Sequence, residues 1–173
     1  MSRAFVDEDA GRDETQGLHE IPLPLAPGAR NYMTPEGAAA LLRELAFLSE
    51  IERPKAAAAL ASSGQAAESD ALRRISELDR RISYLLRMKA LLEIVDPPAS
   101  KERVVFGLAV RVADESGEEA EYRIVGAYES DPERGLVSWA SPIARALLGK
   151  RAGDIAVVKL PRCEKKLRLL EIK

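Results

Sequence analysis

The chain has little of what active sites are usually built from. It contains one cysteine, Cys163, which excludes an internal disulfide and any cysteine-based zinc site. With no histidine to activate it, that thiol reads as inert. The single histidine, His19, lies in an N-terminal stretch with no partner to orient it, so it reads as a solvated side chain rather than a catalyst or metal ligand. Aromatic residues make up 5%, too few for a base-stacking platform. No apolar run approaches the ~20 residues of a membrane span, so no membrane partner is expected. The net charge is −2, which gives no global attraction to nucleic acid but leaves local patches open. The opening MSRAFVDEDAGRDE is acidic, unlike a secretory or transit peptide, so a cytoplasmic location is expected.

What is present divides the chain into four parts. Residues 1–31 read as a disordered acidic and proline-rich leader, either a docking tail or a solvated extension. Residues 32–96 read as an antiparallel coiled-coil helical hairpin. Thr34-Pro35-Glu36-Gly37 opens its first helix with an N-cap, a first-turn proline and an acid at the positive helix end. Leu41, Leu45, Leu48 and Ile51 form an apolar stripe, and Pro54 should kink it. Ser62-Ser63-Gly64 breaks the helix, and the return helix is expected from about Glu68–Ser69. Ile75, Leu78, Ile82, Leu85 and Leu92 take heptad-like seam positions, interrupted by Lys89 with Met88 beside it. Arms of about 25 residues reach roughly 35–40 Å. So short a chain cannot bury such a hairpin, and it must project. Its tip, residues 62–70, is nearly free of charge apart from Glu68 and Asp70.

Residues 97–101 read as a linker. From 102 to 173 the period changes to that of a small α+β domain, one helix on an antiparallel sheet. Strands are expected at 104–112, 121–125, 136–139, 155–160 and 167–172, with a capped helix at 141–148. Lys159, Arg162, Lys165, Lys166 and Arg168 cluster on the last strands, as an edge-protecting solvated face or a contact to a protein partner or nucleic acid.

Several strings resemble the GreA/GreB family of bacterial transcript-cleavage factors. They are Met33-Thr34-Pro35-Glu36-Gly37, Glu52-Arg53-Pro54, Glu77-Leu78-Asp79-Arg80-Arg81 with Tyr84-Leu85, and Ile94-Val95-Asp96. Further on come Val105-Phe106-Gly107, Tyr122-Arg123-Ile124-Val125-Gly126, Ser141-Pro142-Ile143-Ala144-Arg145-Ala146-Leu147-Leu148 and Gly153-Asp154. The resemblance spans about residues 32–173 and is closer to GreB in the return helix. It implies an accessory factor rather than an enzyme. An FKBP-like C-terminal domain would bind RNA polymerase at the rim of its secondary channel, and the hairpin would enter. In the family two tip acids help hold a polymerase-bound magnesium, and the polymerase cuts the RNA 3′ end. No cofactor of its own and a monomeric state are expected, with the nascent RNA 3′ segment as an indirect partner.

The tip departs from that pattern. Aligned from Gly64, the first acid of the family becomes Gln65, while the second position keeps Glu68. Magnesium favours hard, charged oxygen ligands, so one acid should hold it weakly. Glu68 and Asp70 are the remaining candidates for a replacement pair: on a helix they point to different sides, whereas in a loop they could converge. Each arm also runs about one turn short of the GreB pattern, which sets the tip back by roughly 5 Å. Weak or absent cleavage stimulation is therefore expected, with an active factor using Glu68 and Asp70 as the alternative.

Arg73, Arg80 and Arg87 recur every seven residues, with Arg74 and Arg81 alongside, as contacts to RNA or channel walls or as a solvated face. In the family the turn before the SPIARALL helix helps bind polymerase through a serine, an acid and a proline. Ser138 and Pro142 match, Ala140 stands at the acid, Ser141 caps the helix, and Trp139 is either an interface anchor or internal packing. A peptidyl-prolyl isomerase or chaperone is suggested by fold analogy alone. Residues 102–173 offer only Phe106, Tyr122, Tyr128 and Trp139 for its aromatic pocket. A coiled-coil adaptor unrelated to polymerase is the remaining rival.

Overall fold

The computed structural model describes residues 21–25, 28–62, 64–160 and 164–173. His19, Ser63, Arg162 and Cys163 lie outside the described residues, as do residues 1–20 of the leader.

The N-terminal part is helical. Strand β1 (Asn31–Met33) leads into α1 (Pro35–Phe47), whose N-cap Thr34 accepts a hydrogen bond from the Gly37 amide through its hydroxyl. A π-helical turn, Leu48–Glu52, separates α1 from α2 (Arg53–Ser62). The Arg53 amide bonds back five residues to Leu48 O. Pro54 explains the widening: it has no amide to donate, and its ring would crowd the carbonyl four residues back. The expected break is thus a widened turn rather than a simple kink. Its consequence is a shift of phase. Leu41 and Leu45 are buried, but Ile51, expected on the same stripe, is 54% exposed.

Helix α3 (Gln65–Ala90) begins at Gln65, earlier than the expected start near Glu68–Ser69, with Gly64 as N-cap. It runs back along the first arm. Glu44 meets Arg81 nearer the base, and further along the arms Arg53 meets Asp79 and Glu52 meets Arg74. Leu78 and Leu85 of the seam are buried, and so are Tyr84 and Met88. Met88 thus takes the core position that Lys89, which is exposed, vacates. No residue of α2 is buried, because its alanines cover little surface and the far part of the pair stands in solvent. Strand β2 (Leu92–Ile94) then pairs in parallel with β1, an element with no clear trace in the sequence pattern. Ile21, Leu23 and Leu25 pack on the core at this base.

The rest is a five-stranded sheet of order β5-β4-β3-β7-β6, with β3 (Ala109–Asp114), β4 (Glu119–Val125), β5 (Leu136–Ser138), β6 (Ile155–Lys159) and β7 (Glu164–Ile172). Helix α4 (Pro142–Leu147) packs Ala144 and Leu147 into its core. Two expectations are corrected. The sheet is mixed rather than antiparallel, since β4 and β5 run parallel. The first strand starts at Ala109, because Gly107 has φ +87° and Val104 bonds instead to the turn after α4 through Lys150 O and the Gly149 amide. The parallel pairing has a cause. After β4 the chain makes an excursion to the helical base and returns through Gly135, φ +71°, to lie beside the strand it left.

Candidate functional site

At the tip, Glu68 lies in the first turn of α3, where its charge suits the positive helix end. Glu68 and Asp70 both belong to this continuous helix, so at 100° per residue they diverge by roughly 200°. Asp70 also accepts a hydrogen bond from its neighbour Arg73 at 3.2 Å. With α3 intact the two carboxylates do not fit a shared magnesium ion. The described residues contain no group of three or more histidine, cysteine, aspartate or glutamate side chains able to hold a metal.

The arginines divide by environment. Arg81 donates to Glu44 through two nitrogens, at 2.7 and 3.0 Å, and stacks over Tyr84 at 5.2 Å. Burial would raise the Glu44 carboxyl's pKa, but the Arg81 and Tyr128 hydrogen bonds outweigh it, and the group sits below its ordinary value. Tyr128 is pushed well up, by burial and by donating to Glu44. Arg74 reaches Glu52 at 3.6 Å and Glu77 at 3.9 Å. Arg87 donates to Ile21 O. Arg80 forms no ion pair among the described residues, and Arg73 is 72% exposed with only its Asp70 neighbour. Arg74 and Arg81 therefore brace the paired arms, while Arg73 and Arg80 are the ones open to an outside anion.

The turn before α4 is internally tied. Ser138 Oγ accepts from the Ala140 amide at 3.3 Å, and Ser141 Oγ caps α4 by accepting from the Ala144 amide at 3.1 Å. Pro142 is exposed at the first position of α4. Trp139 is half-buried and meets Tyr32 of β1 edge to face, so its ring joins the two regions. On β7, Lys165 pairs with Asp114 and Lys166 with Glu115, each at 3.2 Å, beside the edge strand β6.

Sequence reasoning missed the joint between arms and sheet. Tyr128 and Glu129 lie on the excursion after β4, where no periodicity marks them. The available signal was Gly37 at the third position of α1, an unfavourable residue inside a helix.

The family signature described as "Transcription elongation factor, GreA/GreB, C-term" matches residues 99–173. The transcription elongation factor GreB of Yersinia pestis is 40% identical over 151 residues, 83% of this chain and 88% of that protein. GreA of Ruegeria pomeroyi is 38% identical over 148 residues, 81% of this chain and 95% of that one. Among solved structures, the GreA factor homolog Gfh1 of Thermus thermophilus is 25% identical, with a TM-score of 0.39 over 84% of this chain and 99% of that chain. On the extent and identity of the sequence matches, the chain belongs to the GreA/GreB family of transcription elongation factors.

Proposed function

We propose that this protein is an accessory factor that binds RNA polymerase at its secondary channel and regulates elongation with weak or no stimulation of transcript cleavage. Residues 102–173, an FKBP-like domain on this reading, dock on the polymerase through the turn of Ser138, Trp139, Ser141 and Pro142. Residues 32–96 act as a coiled-coil hairpin that enters the channel, with Arg73 and Arg80 facing its walls or the RNA 3′ segment. The protein works in the cytoplasm, as a monomer, and brings no cofactor of its own.

The observation that carries the weak-cleavage reading is the tip. Gln65 stands where the family pattern has an acid, and Glu68 and Asp70 diverge on one helix. Neither arrangement offers paired carboxylates to a polymerase-held magnesium. The protein would act by occupying the channel. The test is addition of the purified protein to backtracked elongation complexes, alongside a polymerase-binding control. Binding without shortening of the RNA 3′ end supports the proposal, and prompt shortening overturns it.

One observation favours the alternative of an active factor: both tip acids are exposed, and Glu68 has no partner among the described residues. On that reading Glu68→Ala with Asp70→Ala abolishes cleavage. The isomerase reading gains no support from the surface depression beside the β3–β4 turn. Ala113, Asp114, Ile155, Lys166, Arg168 and Leu170 line it, with no aromatic ring.

A further inference from the structure

The cap of α1 is assembled from both ends of the molecule. In a capping box the third helical residue is glutamate or glutamine, and its side chain reaches back to the N-cap amide. Here the third residue is Gly37, which has no side chain, and the carboxylate comes instead from Glu129, 95 residues away from Thr34. Glu129 Oε2 accepts from the Thr34 amide at 3.0 Å and from the Gly126 amide at 3.0 Å, and Oε1 accepts from the Thr34 hydroxyl. That hydroxyl in turn accepts from the Gly37 amide at 3.1 Å.

The fit depends on the missing side chains. A Cβ at Gly37 would lie 2.0 Å from Glu129 Cδ, and one at Gly126 would lie 2.8 Å from its Oε2 and 2.4 Å from Tyr32 O. Thr34 is 1% exposed, so losing the carboxylate strips its buried amide and hydroxyl of the partner that satisfies them. Two further contacts flank the clasp: Arg123 to Glu36 at 3.4 Å, and Tyr32 against Trp139.

We infer that Glu129 is a positioning residue: by supplying the missing capping-box carboxylate from the sheet region, it fixes the direction in which the paired arms leave that region. A hinge that could turn freely would let the tip sweep a wide arc, since α3 alone has 26 residues and runs about 39 Å at 1.5 Å per residue. The clasp converts docking of the sheet into placement of the tip. This last step rests on the channel reading proposed above; the joint itself does not.

The test uses the full chain with Cys163→Ser, spin-labelled through Ser62→Cys at the tip and Glu118→Cys in the exposed β3–β4 turn, and measures the label-to-label distance distribution. Into it go Glu129→Ala and, separately, Gly37→Ala. Gly37→Ala is the informative variant, because alanine is the better helix former and a merely helical role predicts a higher melting temperature. The inference predicts a lower one, together with a distribution broadened about twofold in both variants. Distributions as narrow as the parent's in both variants overturn it, as does a melting gain in Gly37→Ala without broadening. Polymerase binding and transcript effects are then measured on the same proteins. Broadening in a protein that ignores polymerase leaves the joint standing and sinks the channel reading. Loss of the transcript effect with unchanged distances sinks the joint.

Discussion

The rings of Tyr32 and Trp139 meet edge to face, centroids 5.6 Å apart and planes at 77°. Tyr32 belongs to the short strand at the base of the helical arms, and Trp139 to the turn before α4. The contact therefore crosses the joint. Trp139 is the only tryptophan, so its fluorescence reports on that joint. Its indole nitrogen is buried with no partner among the described residues. Trp139→Phe keeps a ring and discards the unpaired donor, whereas Trp139→Ala removes about 3 kcal/mol or more of packing. Denaturant melts should show the phenylalanine variant well above the alanine variant.

The phase shift at the π turn gives a paired prediction. Ile51→Gln should change stability by no more than about 0.5 kcal/mol, because the side chain is exposed. Leu41→Ala, at a fully buried position of α1, should cost about 2–5 kcal/mol. Equal losses would mean that the apolar stripe runs straight through Leu48–Glu52.

Arg81 and Arg80 are neighbours with different duties. Arg81→Lys gives up the forked contact to Glu44 and should cost about 1 kcal/mol of stability, discounted because both partners are about a third exposed. Arg80→Gln should leave the melt within about 0.5 kcal/mol and weaken polymerase binding, with the deficit shrinking as salt rises. Melts and binding at low and high salt separate the two.

Stability should fall at both pH extremes through the Glu44–Tyr128 pair. The Glu44 pKa is lowered in the folded state, so its contribution is complete above the unfolded value near 4.3 and disappears as pH drops through the folded value. Asp114 sits at about 2, held first by the Ser116 hydroxyl and then by Lys165 and two backbone amides, so its contribution fades as pH falls from the ordinary aspartate value toward about 2. Tyr128 is shifted upward, so its contribution is complete below about 10 and disappears as pH climbs through the raised folded value. Glu44→Gln should flatten the acid limb between pH 7 and 3 in a thermal melt, and Tyr128→Phe the alkaline limb.

On the proposed channel reading, Gln65→Asp alone should leave cleavage near background, because arms about one turn short would still hold the tip back. Combined with one added turn in each arm, it should raise cleavage by roughly tenfold or more. A full response to the single substitution would show that reach is not limiting.

The sequence disclosed the local rules. Thr34-Pro35 and Ser141-Pro142 start helices where capping chemistry says they should, the first arm ends at Ser62, and Gly64 stands at the N-cap of α3. The leucine seam carried the burial of Leu41, Leu45, Leu78 and Leu85. Ile51 and Met88 were misplaced because a π turn and a drift of 3.6 against 3.5 residues per turn change the phase without changing the composition. The parallel β4–β5 pair was missed because its cause is an excursion made to reach another region.

By itself, then, the sequence determined the two structural regions, the presence of Gln65 in the tip, and membership in the GreA/GreB family, since each is written in near neighbours or in matching strings. Only the tertiary structure decided which arginines brace the arms, which way Glu68 and Asp70 face, and how the arms are held to the sheet. The physical reason is separation along the chain. Glu129 completes a helix cap begun at Thr34, and Tyr128 holds Glu44, across distances over which no local pattern records a partner.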